Sequence, residues 1–317
     1  MAILLRESDV KKLATMQMAL DAVEEAFRLQ GEGKAENTPR RRCRLENGLL
    51  HVMSASLPSL GWAGLKTYTN VGERVLFHVH LYDARTGELA AIIEADRLGQ
   101  LRTGAASAIA TKYMARSEAS RVGIFGTGRQ ARAQLEGVCA VRPVKSVVSS
   151  GRNSEKCQKF CNEMAAALGI EVRPCATPEE AAAEMDIVIT ATTSKEPVLQ
   201  GTWLAEGTHV NAIGSNSLAR QEIDVETVRR SACVVVDSTQ QSMLESGDLA
   251  RAAEVEAFYW EDARELGLVV TGEFPGREDD TEITLFKSHG IALEDVALAG
   301  QIYQAAVQSG IGQKLPL

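Results

Sequence analysis

The sequence predicts an α/β chain in two parts, an α+β N-terminal portion with an antiparallel sheet followed by a doubly wound parallel sheet. Two observations carry this. Between residues 49 and 94 four apolar stretches alternate with period two, LLHVMSASL, WAGLKTYT, VLFHVHLYD and ELAAIIEA, the last two joined by the turn DARTG at Asp83 to Gly87. From Arg121 onward apolar strands alternate with helical segments instead, which is how a parallel sheet is assembled.

Each element follows in chain order. Ser8 and the stretch DVKKLATMQMALDAVEEAFRLQGEGK read as one N-capped amphipathic helix ending at Gly31 or Gly33. After the four strands, RTGAASAIATKYMAR is read as a helix beginning at Arg102, and Ser117 to Ser120 lead into the next strand. The second part runs VGIF, a helix to about Cys139, SVVSS, a helix from Ser154 to Leu168, DIVITAT, THVNAIG and CVVVDS. The last helix, from Leu293, is expected to have no strand after it and to return to the first part. The domains expected are therefore residues 1–117 with 293–317, for substrate binding and dimerisation, and residues 118–292, a dinucleotide-binding Rossmann domain.

Composition narrows the function classes. A chain of 317 residues, 45% of them hydrophobic, supplies two cores. With 34 basic against 42 acidic residues the net charge is −8, which argues against nucleic acid and anionic membranes as partners while leaving room for a local anion site such as Arg40, Arg41, Arg42 and Arg44. No apolar run approaches the ~20 residues of a membrane span, and MAILLRESDVKK turns polar where a signal peptide would stay apolar. A cytoplasmic protein is expected. Its six cysteines are scattered, only Cys157 and Cys161 being close, and read as reduced structural thiols; no metal site is expected.

The segment RVGIFGTGRQA carries the clearest chemistry. Val122, Ile124 and Phe125 form a strand, Gly126 permits a tight turn, Gly128 lets the backbone approach a pyrophosphate at a helix N-terminus, and Ala131 keeps that helix near the sheet. An ordinary strand-to-helix turn would have the same glycines, but the flanking strand and helix favour a dinucleotide site. The next strand ends SVVSSGRN, where an acid for a ribose 2′-hydroxyl is missing. Ser149, Ser150, Arg152, Asn153 and Lys156 offer hydroxyls and cations suited to a 2′-phosphate, so NADP is preferred and NAD remains open. The segments Thr190 to Ser194 and Asn211 to Ser217 fall at strand C-terminal ends, the ligand edge of such sheets.

Three further residues draw notice in the first part. Lys66 in GWAGLKTYT faces either solvent or a binding site. Arg102 can hold a carboxylate with two parallel hydrogen bonds, or pair with Glu94 or Asp96. His78 and His80 share one strand face, too few for a metal but able to wall a pocket or donate a proton.

Taken together, GLKTYT, the run from Leu81 to Arg116, GIFGTGRQARAQLEG, VNAIGSNS and TLFKSHGIALED resemble the ornithine cyclodeaminase and mu-crystallin family over most of the chain. The resemblance implies a homodimer formed through the sheet of the N-terminal domain, a Rossmann domain, and a substrate held beside the nicotinamide. It implies that Lys66 and Arg102, with an arginine of the Arg40 to Arg42 run taken as Arg40, grip the substrate carboxylate, and that Lys66 is a candidate proton donor. Gly126, Thr127, Gly128, Arg129 and Gln130 would bind pyrophosphate, with Ser150, Arg152 and Asn153 on the ribose side. Thr190, Ala191, Thr192 and Ile213 would line the nicotinamide side, and Thr103 and Gly214 would also bind the cofactor. Glu73, His78 and Asn216 would stand around the substrate.

One departure matters. Ornithine cyclodeaminases place an aspartate in the turn that reads Gly214, Ser215, Asn216 here, and an amide cannot act as a base. The expectation is therefore a reductase of carboxylate-bearing imines, with Asn216 orienting water or the nitrogen. An alanine or N-alkyl amino acid dehydrogenase, an ornithine cyclodeaminase and a non-catalytic NADPH or small-ligand binding protein are the alternatives.

Overall fold

In the computed structural model, which describes residues 2–72 and 74–316, the alternating stretches pair into one sheet. The elements of the first part are β1 (Ile3–Leu5), α1 (Glu7–Leu13), α2 (Met16–Gly31), β2 (Glu36–Leu45), β3 (Gly48–Leu57), β4 (Trp62–Val71), β5 (Arg74–Asp83), β6 (Leu89–Glu94) and α3 (Asp96–Met114). The single helix expected from Ser8 is two helices. Ala14 adopts extended backbone, and Thr15 starts the second helix by accepting a hydrogen bond from the Met18 amide at 3.2 Å, the hydroxyl meeting one of the amides a helix start leaves open. Arg102 does not begin α3 but lies a turn and a half inside it.

The second part contains β7 (Arg121–Phe125), α4 (Arg129–Val141), β8 (Ser146–Ser150), α5 (Ser154–Leu168), β9 (Glu171–Pro174), β10 (Ile187–Thr190), β11 (His209–Ala212), α6 (Val225–Arg230), β12 (Ser231–Val236), α7 (Thr239–Glu245), α8 (Gly247–Glu254), β13 (Arg264–Glu265), α9 (Leu266–Val270) and β14 (Ile283–Lys287). The chain closes with α10 (Ala292–Ser309) and β15 (Gln313–Lys314), so a short strand does follow the last helix. It adds to the first sheet by pairing antiparallel with β1.

Two compact units result, one formed by the chain up to Ala106 together with the chain from Gly290, the other by Ser107–His289. The sheet of the first has the order β15-β1-β6-β5-β4-β3-β2 and is antiparallel except where β1 runs parallel to β6. Cross-strand register places Met53, Lys66, Val79 and Ile93 in one row on one face, and α10 covers β3, β4 and β5. The helix buries Val296, Ala299, Gly300 and Ile302. Gly300 allows close approach, since a Cβ there would meet the Trp62 ring at 2.4 Å.

The sheet of the second unit is parallel throughout, in the order β13-β12-β14-β11-β10-β7-β8-β9. Strand order reverses between β7 and β10, so the C-terminal ends of those strands flank the switch point where open α/β sheets take ligands. This is the doubly wound sheet expected from the strand and helix alternation.

Candidate active site

Three cations of the first unit converge on two buried acids. Lys66, 2% exposed, stands on β4 with Nζ 2.7 Å from Asp295 Oδ1. Arg102 on α3 donates from Nη1 to Glu294 Oε2 at 2.7 Å, and its Nε lies 3.2 Å from Asp295 Oδ1. Both acids belong to the first turn of α10, where the helix dipole favours negative charge. Asn37 of β2 caps that turn, its Oδ1 accepting from the Ala292 amide at 3.0 Å.

Arg40 reaches the same region for a local reason. Thr38 pairs with Ser54 and Arg41 with Val52, so Pro39 and Arg40 together face Met53 in a β-bulge. A bulge re-aims the side chain it carries. Arg40 is consequently buried while Arg41, Arg42 and Arg44 stay exposed. Its Nη2 donates to the Gly290 carbonyl at 3.0 Å, and its guanidinium lies over the Tyr68 ring.

Three cations and two acids thus meet among buried side chains of this unit. Burial and the nearby Arg102 charge push the Lys66 ammonium down to about 8, against the opposing pull of Asp295. Buried guanidinium and ammonium groups are donors of the kind that hold carboxylates by charge-assisted hydrogen bonds.

The register separates His78 from this cluster. His78 pairs with Thr67 and Glu94, one position out of phase with Lys66, so its side chain lies on the opposite face of the sheet. His80 shares that opposite face. Glu73 lies outside the described residues.

A histidine that sequence reading passed over is on the correct face instead. His51 on β3 is 5% exposed, stacks on Tyr68 with ring centroids 4.0 Å apart, and lies 3.3 Å through Nε2 from Asn70 Oδ1. Burial lowers its pKa to about 4, so it is a neutral imidazole. The clue was in LLHVMSASL, whose alternation puts His51 in phase with Met53, Ala55 and Leu57, all buried. Glu294 and Asp295 were missed as well, since two acids opening a helix read as ordinary first-turn residues.

In the second unit the glycine turn has the shape its spacing predicts. Gly126 has φ +112, and a Cβ there would lie 2.4 Å from the Ala191 carbonyl oxygen. Gly128 is the N-cap of α4, and a Cβ on it would meet nothing within 4 Å. The turn therefore offers open space at the amides that begin α4, beside Thr127, Arg129 and Gln130, which is what a pyrophosphate requires. Ala131 is fully buried against the sheet.

Beyond β8, Ser150 is half-buried and Arg152, Asn153 and Lys156 are exposed. Asn153 spends its Oδ1 capping α5, accepting from the Lys156 amide at 2.8 Å. Ser149 is fully buried and turned toward Cys157, so it belongs to the core and not to a phosphate site.

At the ends of β10 and β11, Thr190, Thr192 and Gly214 all bond one carboxylate, that of Glu222, another residue the sequence did not single out. Ala191 and Ile213 are half-buried there, and Asn216 follows in the next turn, also half-buried. Thr103, in the first unit, is buried on α3 and donates its hydroxyl to the Gly99 carbonyl at 2.7 Å. Among the described residues no helix is long and apolar enough to cross a membrane.

Fold and turn together define a Rossmann-type α/β protein whose first unit holds a buried cluster of cationic and acidic side chains. The chain belongs to the ornithine cyclodeaminase/mu-crystallin family, whose model matches residues 2–310. Among solved structures it is similar to a Δ1-pyrroline-2-carboxylate reductase of Thermococcus litoralis in complex with NADH and L-proline, at 37% identity and TM-score 0.94, over 99% of this chain and 100% of that one. An archaeal alanine dehydrogenase dimer with bound NAD aligns at 35% identity and TM-score 0.94, over 100% of this chain and 99% of that one. A Δ1-pyrroline-2-carboxylate reductase of Bacillus cereus is 38% identical over 239 residues, 75% of this chain and 73% of the relative.

Proposed function

We propose that the protein is an NAD(P)H-dependent oxidoreductase that reduces imines next to a carboxylate, taking cyclic ketimines such as 1-pyrroline-2-carboxylate or 1-piperideine-2-carboxylate to the cyclic amino acid. The observation that carries this reading is the convergence of buried Arg40, Lys66 and Arg102 beside Glu294 and Asp295 in the first unit. A substrate carboxylate completes that set and is thereby fixed in position. The nicotinamide, when bound, supplies a hydride to the imine carbon. The imine nitrogen takes a proton, for which the Lys66 ammonium is the donor, its pKa drawn close to neutrality by burial. The likeness to reductases co-crystallised or named with proline-related substrates supports the same substrate class.

Asn216 favours reduction over cyclodeamination, because an amide orients a nitrogen or a water but takes no proton. The glycine turn and the Ser150, Arg152 and Asn153 edge hold the dinucleotide, with NADPH preferred over NADH because no carboxylate at the end of β8 selects a free 2′-hydroxyl. Reductive amination of a 2-oxo acid, as in an alanine dehydrogenase, is the second reading, favoured by the likeness to the archaeal enzyme. The protein acts as a cytoplasmic homodimer in this reading. The apolar residues Leu45, Val71, Val75 and Leu76, exposed at one end of the first sheet, supply surface for a second copy.

A panel of cyclic imino acids, and of pyruvate with ammonia or methylamine, followed at 340 nm with NADH and with NADPH, tests the proposal. Turnover of a cyclic ketimine above all 2-oxo acids is expected. Ammonia release from ornithine without net absorbance change would overturn it.

A further inference from the structure

Glu222 lies outside every element named for cofactor contact, yet its carboxylate ties together two of them. It accepts from the Thr192 amide at 2.6 Å, from the Thr192 hydroxyl at 2.8 Å, from the Thr190 hydroxyl at 3.1 Å, and from the Gly214 amide. Thr190 closes β10, and Gly214 lies two residues past β11. The fit is close enough that a Cβ on Gly214 would come 2.3 Å from the Thr192 carbonyl oxygen and 2.5 Å from Glu222 Oε1.

The backbone that carries this side chain is itself held. Asp248 accepts from the Glu222 amide at 2.7 Å and from the Ile223 amide at 3.1 Å, and pairs with Lys287 at 2.9 Å, both side chains of that pair being fully buried. Lys287 also donates to the Ser215 carbonyl at 3.1 Å, in the turn that carries Asn216. A fully buried acid is costly to keep unless its oxygens are satisfied, and desolvation does raise the pKa of Glu222. Four donors on one carboxylate, aimed from two strand ends, are a larger investment than either strand needs for pairing, since β10 and β11 already share a regular parallel ladder.

We propose that Glu222 is a positioning residue that sets the spacing of the Thr190–Thr192 and Ile213–Gly214 segments for the nicotinamide half of the dinucleotide. The inference rests on the reading of this unit as the dinucleotide site and leaves the adenosine half to the glycine turn and the Ser150, Arg152 and Asn153 edge. Two ligands separate the halves. ADP-ribose carries the pyrophosphate and adenosine without the nicotinamide, so it uses the glycine turn but not the segments that Glu222 holds.

The test compares dissociation constants for NADH and ADP-ribose, by calorimetry, in the parent protein, Glu222→Gln and Thr190→Val. Glu222→Gln keeps shape but replaces an acceptor by a donor that faces backbone amides. It is expected to weaken NADH roughly 10- to 100-fold while ADP-ribose stays within about twofold. Thr190→Val removes one hydrogen bond to Glu222 and is expected to weaken NADH roughly tenfold or less in the same sense, which keeps the test usable should Glu222→Gln not fold. Equal loss of both ligands, or an unchanged NADH to ADP-ribose ratio, overturns the positioning role. A parent protein that binds neither ligand overturns the dinucleotide reading, and the inference falls with it.

Discussion

Lys66 on the fourth strand and Asp295 on the last helix meet at 2.7 Å with their side chains 3% and 0% exposed. The charge of this buried cluster depends on pH through Lys66. Burial, followed by the Arg102 charge, lowers the Lys66 pKa from its ordinary value to about 8. Below that pH the group is an ammonium and the cluster keeps this cation; as pH rises through about 8 the proton leaves and the cation is lost. We expect kcat/KM for a carboxylate-bearing imine to fall above about pH 8, and Lys66→Arg, whose guanidinium keeps the charge but does not give up its proton, to lower kcat/KM at every pH and to lose that fall up to pH ~10. A pH–rate profile measured to pH ~10 checks this, and a Lys66→Arg profile with an unmoved limb would assign the fall to another group.

The same lysine has a converse effect on folding. Its depressed pKa means that between about 8 and its unfolded value, roughly 10.4, the unfolded chain binds the proton more tightly. This group therefore contributes stability that increases as pH rises through that window, opposite to its effect on activity.

Arg102 neutralises Glu294 and lies against Asp295 in the interior. Its removal leaves carboxylates buried with less cationic compensation, which typically costs about 3–5 kcal/mol. Arg102→Ala is expected to lower the urea midpoint accordingly, and Arg102→Ala with Glu294→Gln to recover part of the loss by removing one orphaned charge. Equilibrium unfolding of the two variants measures both. No recovery in the double variant would mean that the two residues are not energetically coupled.

Much of this arrangement was legible before any coordinates, and the rest was hidden for definite reasons. The glycine turn announced itself because a tight turn and an open helix start require particular residues at fixed spacing, and Gly126 has the positive φ that the spacing implies. Lys66 and Arg102 could be named as candidate cations, but their partners stand 229 and 192 residues away along the chain. His78 looked suitable until strand register put it on the opposite face from Lys66, a distinction of one residue. The second strand, β2, went unread because four arginines mask its pattern, and β9, EVRP, because it has a single aliphatic residue between charged ones. Glu222 gave no local signal at all, since its role lies in joining two strand ends.

In the proposed reading cofactor choice turns on Arg152, exposed just past the end of β8 where no acid stands. An exposed cation contributes modestly, so Arg152→Ala is expected to weaken NADPH roughly five- to tenfold while NADH changes little. Parallel titrations with the two nucleotides give the answer. Equal changes, or a parent protein that prefers NADH, would remove the 2′-phosphate from the account and leave Arg152 a solvated residue.

Gly290 joins two of the three cations. Its carbonyl accepts from Arg40 Nη2 at 3.0 Å, and a Cβ on it would lie 2.3 Å from Arg102 Nη1. Its φ of +75 is a left-handed conformation that costs an L-residue roughly 1–2 kcal/mol. Gly290→Ala therefore pushes the Arg102 guanidinium aside while strain disturbs the carbonyl that holds Arg40. The expected result is a KM for the carboxylate substrate raised at least tenfold, by the loss of well-aligned charge-assisted bonds, with NADH affinity within about twofold of the parent. Steady-state kinetics at saturating NADH and a separate NADH titration measure the two quantities. An unchanged KM would take Gly290 out of the carboxylate site, and an equal fall in NADH binding would trace the defect to folding.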